Sequence, residues 1–159
     1  YADKRKIEEV VLQSVAVQYF QMKPEDSSRI QLSGQSILIA SHIRDYILQL
    51  LTNDIQFAPF DLVSLEAKYS MEYEVLSGAK TIKIRVGGVV DRIDRTADGL
   101  RIIDYKTVHL LDQTLPALRK QAENYRAQLQ RYASLFSGSE VPTRMAIFFP
   151  VQGTLVELV

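Results

Sequence analysis

The spacing of apolar residues changes character near residue 60. Before that point it is helical. Ile7, Val10, Val11, Val15 and Val17 recur at near-helical intervals and predict a helix over Lys4 to Met22. Lys23 to Ser33 has no period and reads as a linker. A longer helix is predicted over Ser36 to Asp54, with Ile37, Leu38, Ser41, Asp45, Ile47, Leu48 and Leu51 around it and Asn53 and Asp54 as stop signals. From Phe60 the pattern becomes strand-like: DLVSLEAKYSMEYEVL, KTIKIRVGGVVDRIDR and GLRIIDYKTV, separated by SGA and TADG, predict three consecutive antiparallel strands. LPALRKQAENYRAQLQRYASLF then predicts one helix, with Leu118, Ala122, Tyr125, Leu129 and Tyr132 at helical intervals and a stop at Ser137-Gly138. TRMAIFFPV and TLVELV predict two final strands around Gln152-Gly153. This order implies an α/β domain on a mixed sheet, with a helical N-terminal part over residues 1–55 and the sheet part over 60–159.

Composition narrows the chemistry. A chain of 159 residues, 47% of them hydrophobic, suits one domain with a core. Nineteen basic against 19 acidic residues leave no net charge, which argues against holding nucleic acid by overall positive charge but leaves room for a local basic groove. The absence of cysteine excludes disulfides, thiolate zinc sites, cysteine-ligated iron–sulfur clusters and a cysteine nucleophile. Any metal must therefore use oxygen or imidazole. No run approaches the roughly 18 apolar residues of a membrane span, and YADKRKIEEVV lacks a signal-peptide layout, so a cytoplasmic domain without a membrane partner is the expectation. A start at tyrosine and a stop at TLVELV read as a piece of something longer.

The most charged stretch lies in the predicted hairpin, GGVVDRIDRTADGLRIIDYKT. If Arg95 pairs with Leu100, opposing positions sum to 195 and Asp91 stands opposite Asp104, with Cβ atoms about 4.5–5.5 Å apart on one face. A two-residue Asp98-Gly99 loop would set Asp91 opposite Lys106 instead, with Asp104 on the diagonal. Alternation puts Lys106 on the face of Asp104 in either register. Two carboxylates that close raise each other's proton affinity unless a cation sits between them, and Mg²⁺ is suited to one or two carboxylates plus water and phosphate. Gly87 and Gly88 suggest a bulge or a close backbone approach beside this site. Arg92, Asp94 and Arg95 read as surface residues or as supports behind it, and a charged hairpin also fits a merely solvated face.

G-x-x-D-R-I-D from Gly88, then D-Y-K-T from Asp104, then Q-x-x-x-Y from Gln128 on a helix, resemble the RecB-like branch of the PD-(D/E)xK nuclease superfamily, the nuclease domain of RecB- and AddB-type helicase–nuclease enzymes. The resemblance spans about Glu66 to Phe136 and implies a restriction-endonuclease-like core, a mixed sheet flanked by helices. It implies that Asp91, Asp104 and the Tyr105 backbone carbonyl bind Mg²⁺ or Mn²⁺ and that Lys106 serves the attacking water. Gln128 and Tyr132 would contact DNA or brace the catalytic strands, Glu66 in SLEAKY could add a carboxylate, and Arg126 and Arg131 would meet DNA together with Arg119 and Lys120. The family often places a metal-binding histidine in an N-terminal helix. Here His42 sits on a helix in surroundings unlike that motif, and His109 falls past the strand.

The function so implied is a Mg²⁺-dependent DNA exonuclease of double-strand-break repair and recombination, with DNA as substrate and a helicase domain or subunit as partner. Three alternatives stay open: an inactive nuclease-like scaffold, a restriction-type endonuclease, and a structural domain with a charged hairpin.

Overall fold

The computed structural model describes residues 3–78, 80–136 and 142–158, excluding the side chains at 28 and 29. Ala79 of the SGA turn, the helix stop at Ser137-Gly138 and Val159 of the last strand lie outside the described residues. The chain divides into two compact units, residues 1–56 and 57–159.

In the first unit, α1 (Lys4–Ser14) is capped by Asp3, whose side chain accepts from the Arg5 N–H, and runs into a π-helical turn at Val15–Tyr19. The expected linker carries a 3₁₀ helix, Pro24–Arg29, started by proline at its first turn and held by Ser27 Oγ donating to the Pro24 carbonyl. Helix α2 spans Gln35–Phe57 and continues through the expected stops. Asn53 donates to the Gln49 carbonyl and Thr52 to that of Leu48, so both serve the helix interior, and the helix ends where Pro59 disfavours helical backbone in the residue before it. Val11, Val15 and Ala40 form the small core of this unit. Among the described residues no helix is long and apolar enough to cross a membrane.

The second unit is a five-stranded mixed sheet in the order β1-β2-β3-β4-β5, with β1 Asp61–Ser77, β2 Lys80–Thr96, β3 Gly99–Tyr105, β4 Thr143–Phe149 and β5 Thr154–Leu158. All neighbours are antiparallel except β3 and β4. The parallel pair needs a crossover, which α3 (Leu115–Glu123) and α4 (Arg126–Ser134) supply. These are one predicted helix broken at Asn124-Tyr125. The Asn124 and Tyr125 N–H groups bond three residues back, to Gln121 and Ala122, which tightens the backbone before α4 restarts. Strand β3 stops at Tyr105, short of the expected Val108, because Val108 N–H bonds the Lys106 carbonyl and turns the chain at Thr107. One face of the sheet packs Ile93, Leu100, Ile102, Ile147, Phe149, Val156 and Leu158 against Leu118, Ala122 and Leu129 of the helices.

Two features of β1–β3 govern where the hairpin's charged side chains end up. The first is the register: the β2–β3 ladder pairs Arg95 with Leu100 and Arg92 with Ile103, positions that sum to 195. On the face away from α4, Asp94 is fully buried, accepting from Arg92 Nε at 2.7 Å and from Arg101 Nη2 at 2.8 Å. The Phe60 ring lies against both guanidinium groups and Phe57 against that of Arg101, at 5.0–5.5 Å. Arg92 and Asp94, expected at the surface or behind the site, are buried. The apolar cover of Phe57 and Phe60 comes from outside the hairpin and is not readable from its alternation. Arg95 is exposed.

The second feature is a slip in alternation. Ser64 and Tyr69 share a face, their hydroxyls 3.0 Å apart, although five residues separate them. Gly88 faces Tyr132 of α4, and Ile93, five residues on, faces the same helix layer. Both strands therefore change parity at one level, between the pairs Ala67–Val90 and Leu65–Arg92, where Glu66 takes the left-handed conformation, φ 49°.

Asp94→Ala would remove the carboxylate that two buried guanidinium groups share and is expected to destabilise the fold by about 3–5 kcal/mol in urea unfolding; a loss below 1 kcal/mol would contradict the burial argument. Glu66→Gly should act oppositely, raising stability by about 1 kcal/mol, because glycine takes a positive φ without strain. A destabilised Glu66→Gly protein would show that the side chain does more than tolerate the turn.

Candidate functional site

Asp91, two residues before Ile93, and Asp104, two after Ile102, come together where the β2–β3 ladder ends. One step beyond the last ladder pair, Asp91 Oδ2 accepts from the Tyr105 backbone N–H at 2.9 Å, so the side chain replaces a strand carbonyl as partner. Asp104, only 2% exposed, lies between β2 and β4, paired with Ile147 on its β4 side. Its Oδ1 accepts from Gln128 Nε2 at 3.0 Å. Gln128 Nε2 also donates to the Tyr132 hydroxyl at 3.2 Å, so the i, i+4 pair on α4 acts on Asp104 as a unit.

Lys106 Nζ forms an ion pair with Asp104 Oδ2 and lies 5.0 Å from the centre of the Tyr125 ring. The ammonium is thus the close, charge-assisted partner of Oδ2. A carboxylate oxygen has two lone pairs, so Oδ2 keeps capacity for a second partner beside Lys106. Burial pushes the Asp104 carboxyl above the ordinary 3.8, and the charge of Asp91 adds to the rise; Lys106 and Gln128 oppose it. Two neighbouring carboxylates and one ammonium meet here. That donor set fits a hard divalent cation such as Mg²⁺ or Mn²⁺.

The other residues singled out by sequence fall in different places. Glu66 is exposed, and among the described residues no group of three or more histidine or acidic side chains is arranged to hold a metal, so Glu66 is not brought into a cluster with the aspartates. His42 lies on α2 in the first unit, its Nδ1 2.8 Å from the Leu38 carbonyl. His109 is exposed after β3. Arg126 is turned to Glu123, which grips it through Nε at 2.6 Å and Nη2 at 2.7 Å, while Arg131 lies exposed on α4. Gly88 lets Tyr132 approach, since a Cβ there would stand 3.1 Å from its ring, and Gly87 lets β1 approach. The sequence marks Tyr125 only as a core position. Its place over the Lys106 ammonium depends on the helix break, for which the poor helix former Asn124 is the sole sequence signal.

Residues 2–157 match the family model described as the PD-(D/E)XK nuclease superfamily. No curated protein matches the chain. Among solved structures, one described as "Crystal structure of SSO0001" is similar at 19% identity and a TM-score of 0.36, over 96% of this chain and 64% of that one. The chain thus spans a little under two thirds of that structure's length.

Because its folded-state proton affinity is raised, Asp104 favours the fold fully below pH 3.8, and that contribution is lost as pH rises through its folded pKa. Asp104→Asn, neutral throughout, should therefore raise the metal-free melting temperature at neutral pH and lose the advantage below pH 3.8. A variant less stable than wild type at neutral pH would show that the Lys106 ion pair outweighs burial.

Proposed function

The chain belongs to the PD-(D/E)XK nuclease superfamily, and from that premise we propose that it is a divalent-metal-dependent deoxyribonuclease whose working residues are Asp91, Asp104 and Lys106. The observation that carries the reading is the buried Asp104 carboxylate, with the Lys106 ammonium against Oδ2 and the charge of a second carboxylate, Asp91, acting on it. Mg²⁺ or Mn²⁺, held by Asp91, Asp104 and the Tyr105 carbonyl, would lower the pKa of a water and offset charge building on the phosphate.

The chain's own groups then have distinct tasks. Gln128, braced by Tyr132, fixes Asp104 through Oδ1 and leaves Oδ2 for ligation. Asp91, tied to the Tyr105 N–H, keeps the strand end and its neighbouring carbonyl in place. Lys106, against Oδ2 and 5.0 Å from the centre of the Tyr125 ring, would orient the attacking water or stabilise charge on the phosphate oxygens. Attack by that water forms the new P–O bond as the leaving 3′ or 5′ oxygen takes the electron pair of the bond that breaks.

The finer reading follows the likeness of G-x-x-D-R-I-D, D-Y-K-T and Q-x-x-x-Y to RecB- and AddB-type domains: an exonuclease of double-strand-break repair, served by a helicase domain or subunit. With Arg126 engaged by Glu123, local basic contacts are few, so DNA binding by the domain should be modest and salt-dependent.

Calorimetric Mn²⁺ titration beside cleavage of labelled DNA tests this. Asp104→Asn should weaken Mn²⁺ binding, whereas Lys106→Ala should bind Mn²⁺ no less well yet cut about 10²–10³ times more slowly. Wild-type protein, extended upstream, that neither binds Mn²⁺ nor cuts would leave an inactive scaffold as the better account. Equal loss of metal binding in both variants would refute the separate roles.

A further inference from the structure

A cleft of about 220 Å³ lies between the β1–β2 hairpin and α4, separated from Asp104 by the Gln128 side chain. Its walls are Tyr73 and Val86 on the hairpin and Gln128, Arg131, Tyr132 and Leu135 on the helix. The hairpin wall is bare at Gly87, where any Cβ would stand 2.3 Å from the Tyr69 carbonyl oxygen. Gln128, which donates to Asp104, and Tyr132, which accepts from Gln128, both line this cleft.

The lining combines three properties. Tyr73 is 38% exposed, fixed by its hydroxyl 3.3 Å from Ser134 Oγ, so an aromatic surface meets solvent in a held orientation. Arg131 uses Nε on the Ala127 carbonyl, and its two terminal nitrogens take no partner among the described residues, in contrast to the chelated Arg126. Val86, 43% exposed, adds an apolar edge. An aromatic ring, an apolar edge and a free guanidinium are the elements of single-strand recognition, in which a base stacks and its phosphate meets a cation. The volume is below the roughly 300–1,000 Å³ of drug-sized sites.

We propose that this cleft seats the unpaired base flanking the scissile phosphate, with Tyr73 as stacking surface and Arg131 on the adjoining phosphate, so that the strand engaged is single. The inference rests on the nuclease reading for the position of the scissile phosphate, but binding can be measured apart from cleavage.

The test is a fluorescence titration of oligonucleotides carrying 2-aminopurine, single-stranded and as the blunt duplex, in chelator so that nothing is cut. Wild type should quench the probe and bind the single strand more tightly than the duplex. Tyr73→Phe keeps the ring and should retain binding; Tyr73→Leu should lose about tenfold or more. Arg131→Gln should weaken binding and flatten its salt dependence. Unchanged affinity in Tyr73→Leu, a duplex preference, or no binding at all would overturn the proposal, circular dichroism confirming that each variant is folded. A protein that passes these tests but neither binds Mn²⁺ nor cuts DNA would keep the base seat and lose the nuclease reading. One that cuts in a Tyr73-independent way would do the reverse.

Discussion

The register of β2 against β3 rests on one buried charge. Asp94 has no exposure and two guanidinium partners from two strands. Such a group adds little net stability over an apolar replacement, since desolvation offsets most of its attraction. What it adds is discrimination. A slip of one residue would turn every side chain to the other face and is already excluded by the hydrophobic pattern. A slip of two keeps the faces, and the isoleucines at 93, 102 and 103 could accommodate it. The Asp94–Arg101 pairing penalises that slip, by leaving a buried carboxylate and a buried guanidinium apart, and the Thr96–Gly99 turn, with Gly99 at φ 131°, opposes it as well. The clamp therefore fixes which β3 residue stands across from Asp91.

A second constraint turns that register into a site. With regular alternation throughout, Gly88 and Val90 would lie on the face opposite to Ile93, and α4 could not pack on all three. The parity slip at Glu66 and Asp91 reconciles them, at a cost of about 1 kcal/mol for a left-handed non-glycine residue. Strain and buried charge are placed close together in the β1–β2 pair, and the gain is that Asp91 reaches both the Tyr105 N–H and the electrostatic field of Asp104.

The fold was legible where local chemistry decides it. The turn at Ala97-Asp98, the strand parity of Asp104 and Lys106, and the i, i+4 reach of Gln128 and Tyr132 follow from spacing, and the mixed sheet follows from the order of elements. What was not legible depends on contacts distant in sequence. Arg92 and Asp94 look solvated until Phe60 is laid over them, and Glu66 gives no sign in SLEAKY that its backbone turns left-handed. The break at Asn124 lies inside a sequence whose apolar period continues through it, so periodicity alone extends the helix.

The Lys106–Asp104 contact shapes how a metal-dependent site would behave. Oδ2 is the oxygen the ammonium faces, and on the proposed reading it is also the oxygen a cation would need. A cation at Oδ2 would then compete with the ammonium, so the affinity of one buried and one half-buried carboxylate for a divalent ion would be reduced by the energy of an ion pair. Such competition would not expel the lysine, because the Tyr125 ring offers its charge a second partner 5.0 Å away. The ammonium limits the mutual repulsion of the aspartates, and with a cation on the carboxylates it would remain available to a phosphate. The same residue can thus stabilise the empty pocket and serve the chemistry of the loaded one, which gives a physical reason for a lysine two residues after the buried aspartate, on its face of the strand.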